Sequence, residues 1–158
     1  MKIIIQAPAK INLFLRVLGK RKDGYHDIKS GITFINLFDE ISIAESHRTI
    51  INYSGTFKPI SGTYKDCIIK RTLEFLNLYQ RIHLRISVKK NIPVQAGLGS
   101  ASTNAATFIK GLKKLNIIQE IKNSDYSFLS ADIPVFLFGK NSLVQDMGQN
   151  ITKQTFPK

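Results

Sequence analysis

The segment from Pro93 to Ala106 joins two glycines, Gly97 and Gly99, to the hydroxyls of Ser100, Ser102 and Thr103, where a strand pattern gives way to a helical one. Glycines let a backbone come close to an anion, and the first amides of a helix lack an intrahelical acceptor, so this arrangement suits a phosphate group. The same residues would also make a plain helix start with a tight glycine turn. Neither common nucleotide fingerprint fits. A dinucleotide loop would need a third glycine at Ser102, and Gly19 and Gly24 have P-loop separation but carry Tyr25 where its lysine belongs. Two further segments bear groups that do chemistry. Lys10 and Asn12 are alternate residues in Ala7 to Leu13 and therefore share one face of a strand, as a site pair or as a solvent-facing pair. Asp132 stands in the otherwise apolar stretch from Ser130 to Pro134. A buried acid there must find a partner, whereas an exposed one would serve as a helix cap or turn residue.

These groups need elements to hold them. Lys2 to Gln6, Ile11 to Leu18, Gly31 to Leu37, Glu40 to Ala44 and Thr49 to Tyr53 read as five short strands of an antiparallel sheet. Between the second and third lies an exposed connection, Gly19 to His26, with a basic cluster and an aromatic-imidazole pair. Ile68, Thr72, Phe75, Leu76 and Tyr79 then recur at helical spacing and suggest a helix over 63–80. Ile82, Leu84, Ile86 and Val88 alternate with His83, Arg85, Ser87 and Lys89, as in a half-buried strand. Ala101, Ala105, Phe108, Ile109, Leu112 and Leu115 mark a second amphipathic helix directly after the glycine loop. A polar segment from Gln119 to Ser127 leads to apolar runs at Phe128 to Phe138 and Ser142 to Val144, after which the chain runs out in polar residues.

The 158 residues suit one domain, 1–158, with no repeat or linker to divide them. An apolar fraction of 43% argues against disorder, and no run approaches the ~20 apolar residues of a membrane helix. Cys67, the single cysteine, excludes an internal disulfide and a cysteine zinc cluster, and a reducing, cytoplasmic setting is expected. The formal charge of +12 favours anionic partners: nucleic acid, phosphorylated metabolites or an acidic membrane.

Four motifs in order carry a resemblance: A-P-A-K-I-N-L-F-L at 7 to 15, D-G-Y-H at 23 to 26, I-P-V-Q-A-G-L-G-S-A-S-T-N-A-A at 92 to 106, and A-D-I-P-V-F at 131 to 136. Together they resemble the GHMP kinase superfamily, in its branch serving non-mevalonate isoprenoid synthesis. Met147 to Asn150 extends the likeness over nearly the whole chain. The resemblance implies an α+β fold like the second domain of ribosomal protein S5, left-handed crossover included. It has a mostly antiparallel sheet packed by two main helices and forms the ATP-binding N-terminal lobe of a two-lobed kinase. It further implies phosphorylation of the 2-hydroxyl of 4-diphosphocytidyl-2-C-methyl-D-erythritol with ATP and magnesium.

By motif, Asp132 corresponds to the catalytic base and Lys10 to the cation beside it, which stabilises the developing alkoxide. Gly97, Leu98, Gly99, Ser100, Ala101, Ser102 and Thr103 match the phosphate loop, with Ser102 as the hydroxyl near magnesium, and Lys90 matches the adenosine side. Asn12, Tyr25 and His26 correspond to substrate positions, where Tyr25 would stack on cytosine and His26 bind its edge. The chain departs from the pattern at Ser100 and Ala101, which replace two glycines. It departs again at Cys67, which replaces an asparagine, and at Ser130, which replaces a glycine. It ends at Lys158, before the C-terminal lobe of the resembled kinases. Half a cleft implies impaired or absent transfer in isolation, with a separately encoded C-terminal lobe as the partner that would restore it. The rival expectation is a basic nucleic-acid-binding module on the same fold, which would need basic residues and exposed aromatics clustered on one sheet face.

Overall fold

The computed structural model of the chain describes residues 2–22, 24, 26–59, 67–119, 123–146, 148 and 150–156. Its frame is a long antiparallel ribbon of β1 (Lys2–Lys20) and β2 (His26–Glu45). Each of the two is one continuous strand where the sequence suggests two shorter ones. Pro8 would break a central strand, but β1 runs along the sheet edge, pairing with β2 alone among the described strands. The missing amide costs little there, and the ladder shifts register between Pro8 and Ala9 instead of stopping.

The two halves of β2 take different neighbours on their other side. Glu40 to Glu45 pairs antiparallel with β4 (Leu84–Lys89), which pairs parallel with β3 (Ile50–Ser54) across a connection containing α1 (Ile68–Phe75). Ile28 to Ile32 pairs with β5 (Ser142–Asp146), which pairs with β6 (Asn150–Lys153). The sheet is therefore mostly antiparallel with one parallel pair. The polar tail expected after Val144 instead forms β6, because backbone pairing to β5 needs no apolar face.

β4 begins two residues later than the alternation suggests, and Ile82 packs on the core from outside it. The helix expected over 63–80 ends at Phe75; residues 60–66 lie outside the described set. Asn77 adopts φ 55°, its amide donates to Glu74 O at 2.9 Å, and the Leu78 amide donates to Leu73 O at 2.8 Å. This is a left-handed stop that satisfies the last carbonyls. Asn116, at φ 55°, ends α2 (Ser100–Lys114) in the same way. Two shorter elements follow: a 3-10 turn over Asn123–Phe128 in the expected polar segment, and α3 (Ile133–Phe138).

Ile41 and Ile43 from β2, Leu84, Ile86 and Val88 from β4, Ile69 and Leu73 from α1, and Phe108 and Leu112 from α2 form the main core between sheet and helices. The opposite side of α2 buries Ala105, Ala106 and Ile109 against Tyr126, Ile133 and Phe136. α2 is thus gripped on two sides, and its N-terminus lies by the middle of β1, the end of β4 and the start of α3. No helix among the described residues is long and apolar enough to cross a membrane.

Candidate active site

Leu98 in the glycine loop accepts a hydrogen bond from the Lys10 amide at 3.1 Å, which ties β1 to the start of α2. The Lys10 side chain is 8% exposed. Its Nζ donates to Asn12 Oδ1 at 2.5 Å, as alternate positions on one strand face allow, and stands 3.6 Å from Asp132 Oδ2. Asp132 is not buried, and it stands at the N-cap position of α3 without using its carboxylate there. Its side chain is 42% exposed. A carboxylate placed so is open to an incoming hydroxyl.

Lys10, Asp132 and the loop from Pro93 to Ser102 enclose a pocket of about 380 Å³. Gly99 caps α2 at φ 72° with no side-chain cap bond, which leaves the first amides of the helix without an intrahelical acceptor. A Cβ on Gly99 would lie 2.5 Å from Phe136 Cζ, whereas one on Gly97, at φ 73°, would meet nothing within 4 Å. Gly99→Ala is therefore expected to cost about 3 kcal/mol from overpacking and backbone strain together, and Gly97→Ala about 1–2 kcal/mol from strain alone. Urea unfolding of the two variants checks this order.

The loop residues divide by role. Ser102 is 7% exposed, lines the pocket and shares a hydrogen bond of 2.8 Å with the Ser130 hydroxyl, which joins α2 to the segment carrying Asp132. Ala101 is exposed. Ser100 turns its hydroxyl inward to Lys90 Nζ. Thr103 is fully buried, its amide donates to Gly99 O at 2.8 Å, and its Oγ1 has no hydrogen-bond partner among the described residues. As placed, Thr103 supports the helix start from inside and does not reach the pocket.

Lys90 leads to a residue that the sequence reading missed. Its ammonium donates to Asp39 Oδ2 and to Ser100 Oγ, and reaches Asn104 Oδ1 at 3.4 Å. Asp39 is fully buried: Oδ1 accepts from the amides of Asn91 at 2.7 Å and Ile92 at 2.8 Å, and Oδ2 also accepts from Asn104 Nδ2 at 2.8 Å. One carboxylate thus gathers the end of β4, the start of the loop and the first turn of α2. Burial pulls the Lys90 ammonium below the usual lysine range, and the bond and charge of Asp39 oppose that pull. Lys90 also lines a second hollow of about 260 Å³, with Tyr53, Cys67, Ile68, Arg71 and Asn104, which shares Val94, Ser100 and Ala101 with the first.

His26 is not brought to this site. It pairs with Lys20 while Lys10 pairs with Phe34, a separation of about 26 Å along the ribbon at strand rise. Tyr25 lies outside the described residues, as do Met147 and Gln149.

An α+β lobe with a glycine-turned helix start facing a lysine-aspartate pair is suited to holding a phosphate group beside a proton acceptor. Residues 67–146 match the family model of the GHMP kinases N terminal domain, and the chain belongs to that family. Among curated relatives, the 4-diphosphocytidyl-2-C-methyl-D-erythritol kinase of Francisella tularensis (strain SCHU S4) is 35% identical over 94% of this chain, and that of Fervidobacterium nodosum is 36% identical over 95%. The chain spans about half the length of these relatives, 55% and 54% respectively. A crystal structure of 4-(cytidine 5'-diphospho)-2C-methyl-D-erythritol kinase superposes with a TM-score of 0.78 at 26% identity, covering 98% of this chain and 56% of the other. The mevalonate kinase of Methanococcus jannaschii shares the fold, with a TM-score of 0.60 at 21% identity, 99% of this chain and 56% of the other.

Proposed function

We propose that this chain is the nucleotide-binding half of a kinase that transfers phosphate from ATP to the 2-hydroxyl of 4-diphosphocytidyl-2-C-methyl-D-erythritol, a step of isoprenoid precursor synthesis. The observation that carries the reading is the ion pair of Lys10 and Asp132 on the wall of the glycine-loop pocket. Phosphates rest on the amides opening α2, and the adjoining hollow lined by Tyr53, Ile68 and Lys90 takes the adenosine. Asp132 accepts the proton of the attacking hydroxyl, and Lys10 stabilises the alkoxide and the moving phosphoryl charge. Asn12, Tyr25 and His26 are assigned to the cytidine-bearing substrate, with His26 acting from the far end of the ribbon.

Magnesium prefers oxygen ligands beside substrate phosphates, and the Ser102 hydroxyl on the pocket wall is the group of this chain that would touch it. When bound, it neutralises phosphate charge. In-line transfer also needs a second wall that excludes water, which we assign to a C-terminal lobe acting as partner. The reading goes with a cytoplasmic location. A nucleic-acid role finds no support on the open sheet face, where Lys2, Arg85 and Lys89 stand with Glu40, Gln6 and Asn52 and no aromatic side chain enters these paired rows.

The test mixes this chain with the C-terminal half of the Francisella tularensis relative, MgATP and the cytidine substrate. Transfer is expected in the mixture, and at least about 100-fold less in the chain alone, because positioning supplies much of the rate. Absence of transfer in every combination, together with no saturable MgATP binding, contradicts the reading.

A further inference from the structure

Hydrogen-bond polarity around Lys10 extends beyond Asn12. Ser30 on β2 is 1% exposed and donates its single hydroxyl proton to Phe14 O at 2.8 Å. Its oxygen then has only lone pairs to offer, and it accepts from Asn12 Nδ2 at 2.7 Å. With the amide nitrogen held there, Asn12 presents Oδ1 on its other side, where Lys10 Nζ donates at 2.5 Å. Each link leaves the next one way to face. The ladder irregularity helps: Asn12 opposes Ile32 and Phe14 opposes Gly31, so β1 uses two residues where β2 uses one, and both Asn12 and the Phe14 carbonyl come beside Ser30. Bulges of this kind re-aim side chains next to active sites.

We propose that Ser30 is a positioning residue for Lys10, acting through Asn12. Its buried hydroxyl, anchored on a backbone carbonyl of the neighbouring strand, sets the amide orientation that holds the ammonium beside Asp132. Asn12 therefore has a structural duty toward Lys10 in addition to any contact with substrate. The proposal rests on the kinase reading for what Lys10 does to a substrate; the hydrogen-bond chain belongs to the protein without ligand and is measured there.

The experiment follows exchange of the Lys10 Nζ protons with water by NMR in the full, 15N-labelled chain. Asn12→Ala is expected to speed exchange about tenfold, the effect of losing one charge-assisted hydrogen bond. Ser30→Ala should do the same, the double variant Asn12→Ala with Ser30→Ala should be no faster than Asn12→Ala, and Ser30→Thr, which keeps the hydroxyl, should keep the wild-type rate. A purely structural serine would add its effect in both backgrounds. Wild-type exchange in folded Ser30→Ala, or additive acceleration in the double variant, overturns the proposal. Should Ser30→Ala fail to fold, Ser30→Cys decides, since it keeps the size but bonds only weakly: faster exchange supports the relay and a wild-type rate overturns it. Titrating MgATP into the same samples and running the two-part transfer assay separates the two readings, since a chain that neither binds MgATP nor supports transfer but shows these exchange rates refutes the kinase role and leaves the relay standing.

Discussion

Asp39→Ala is expected to lose about 3–5 kcal/mol of folding stability, a large share of the about 5–15 kcal/mol that holds a domain together. The substitution strips a fully buried site of its anion and leaves Lys90, 4% exposed, as an uncompensated charge. The amides of Asn91 and Ile92 lose their acceptor at the same time. Lys90→Met should cost distinctly less. It removes the group whose burial is the main cause of its lowered pKa, while Asp39 keeps Asn91 N, Ile92 N and Asn104 Nδ2 as donors. Urea unfolding followed by circular dichroism checks the asymmetry. An Asp39→Ala chain within about 1 kcal/mol of wild type would show that the loop is not held by this carboxylate.

Asp132→Asn should lower phosphoryl transfer by about 10²–10⁴-fold in the two-part assay while leaving MgATP binding and stability nearly unchanged. The amide matches the carboxylate in shape but takes up no hydroxyl proton. Its side chain is 42% exposed and caps no helix, so the fold does not depend on it. Lys10→Met differs in kind, because Lys10 is 6% exposed and faces both Asn12 and Asp132, so binding and rate should fall together. Retention of more than a tenth of the rate in Asp132→Asn would remove Asp132 from the role of base.

Much of this was legible in the chain itself. Alternation gave β4, helical spacing placed α2 closely and found α1 but overran its Phe75 end by five residues, and the period-2 rule put Lys10 beside Asn12. The continuity of β1 through Pro8 was hidden because local propensity registers a proline as a break, while tolerance depends on which edge of the sheet the strand occupies. β6 was hidden because its stability comes from pairing to β5. Asp39 did leave a signal. It shares strand parity with Ile41 and Ile43, and Lys90 shares parity with Leu84, Ile86 and Val88, so one residue beyond the paired segment of β2 and β4 the two inward rows carry charges of opposite sign. Starting the strand at Glu40 cut that pattern off by one residue. Ser30 left no comparable mark, since a serine at the boundary of an apolar run looks like any other until its hydroxyl has a partner.

The arrangement as a whole turns on whether a nucleotide's phosphates lie on the start of α2. Titrating MgATP into the 15N-labelled chain and following backbone amides measures this directly. Saturable shifts at Gly97, Leu98, Gly99, Ala101 and Ser102, with Arg85 and Lys89 on the open sheet face unmoved, are the expected result. Shifts confined to that open face, with the loop amides unmoved, would contradict it.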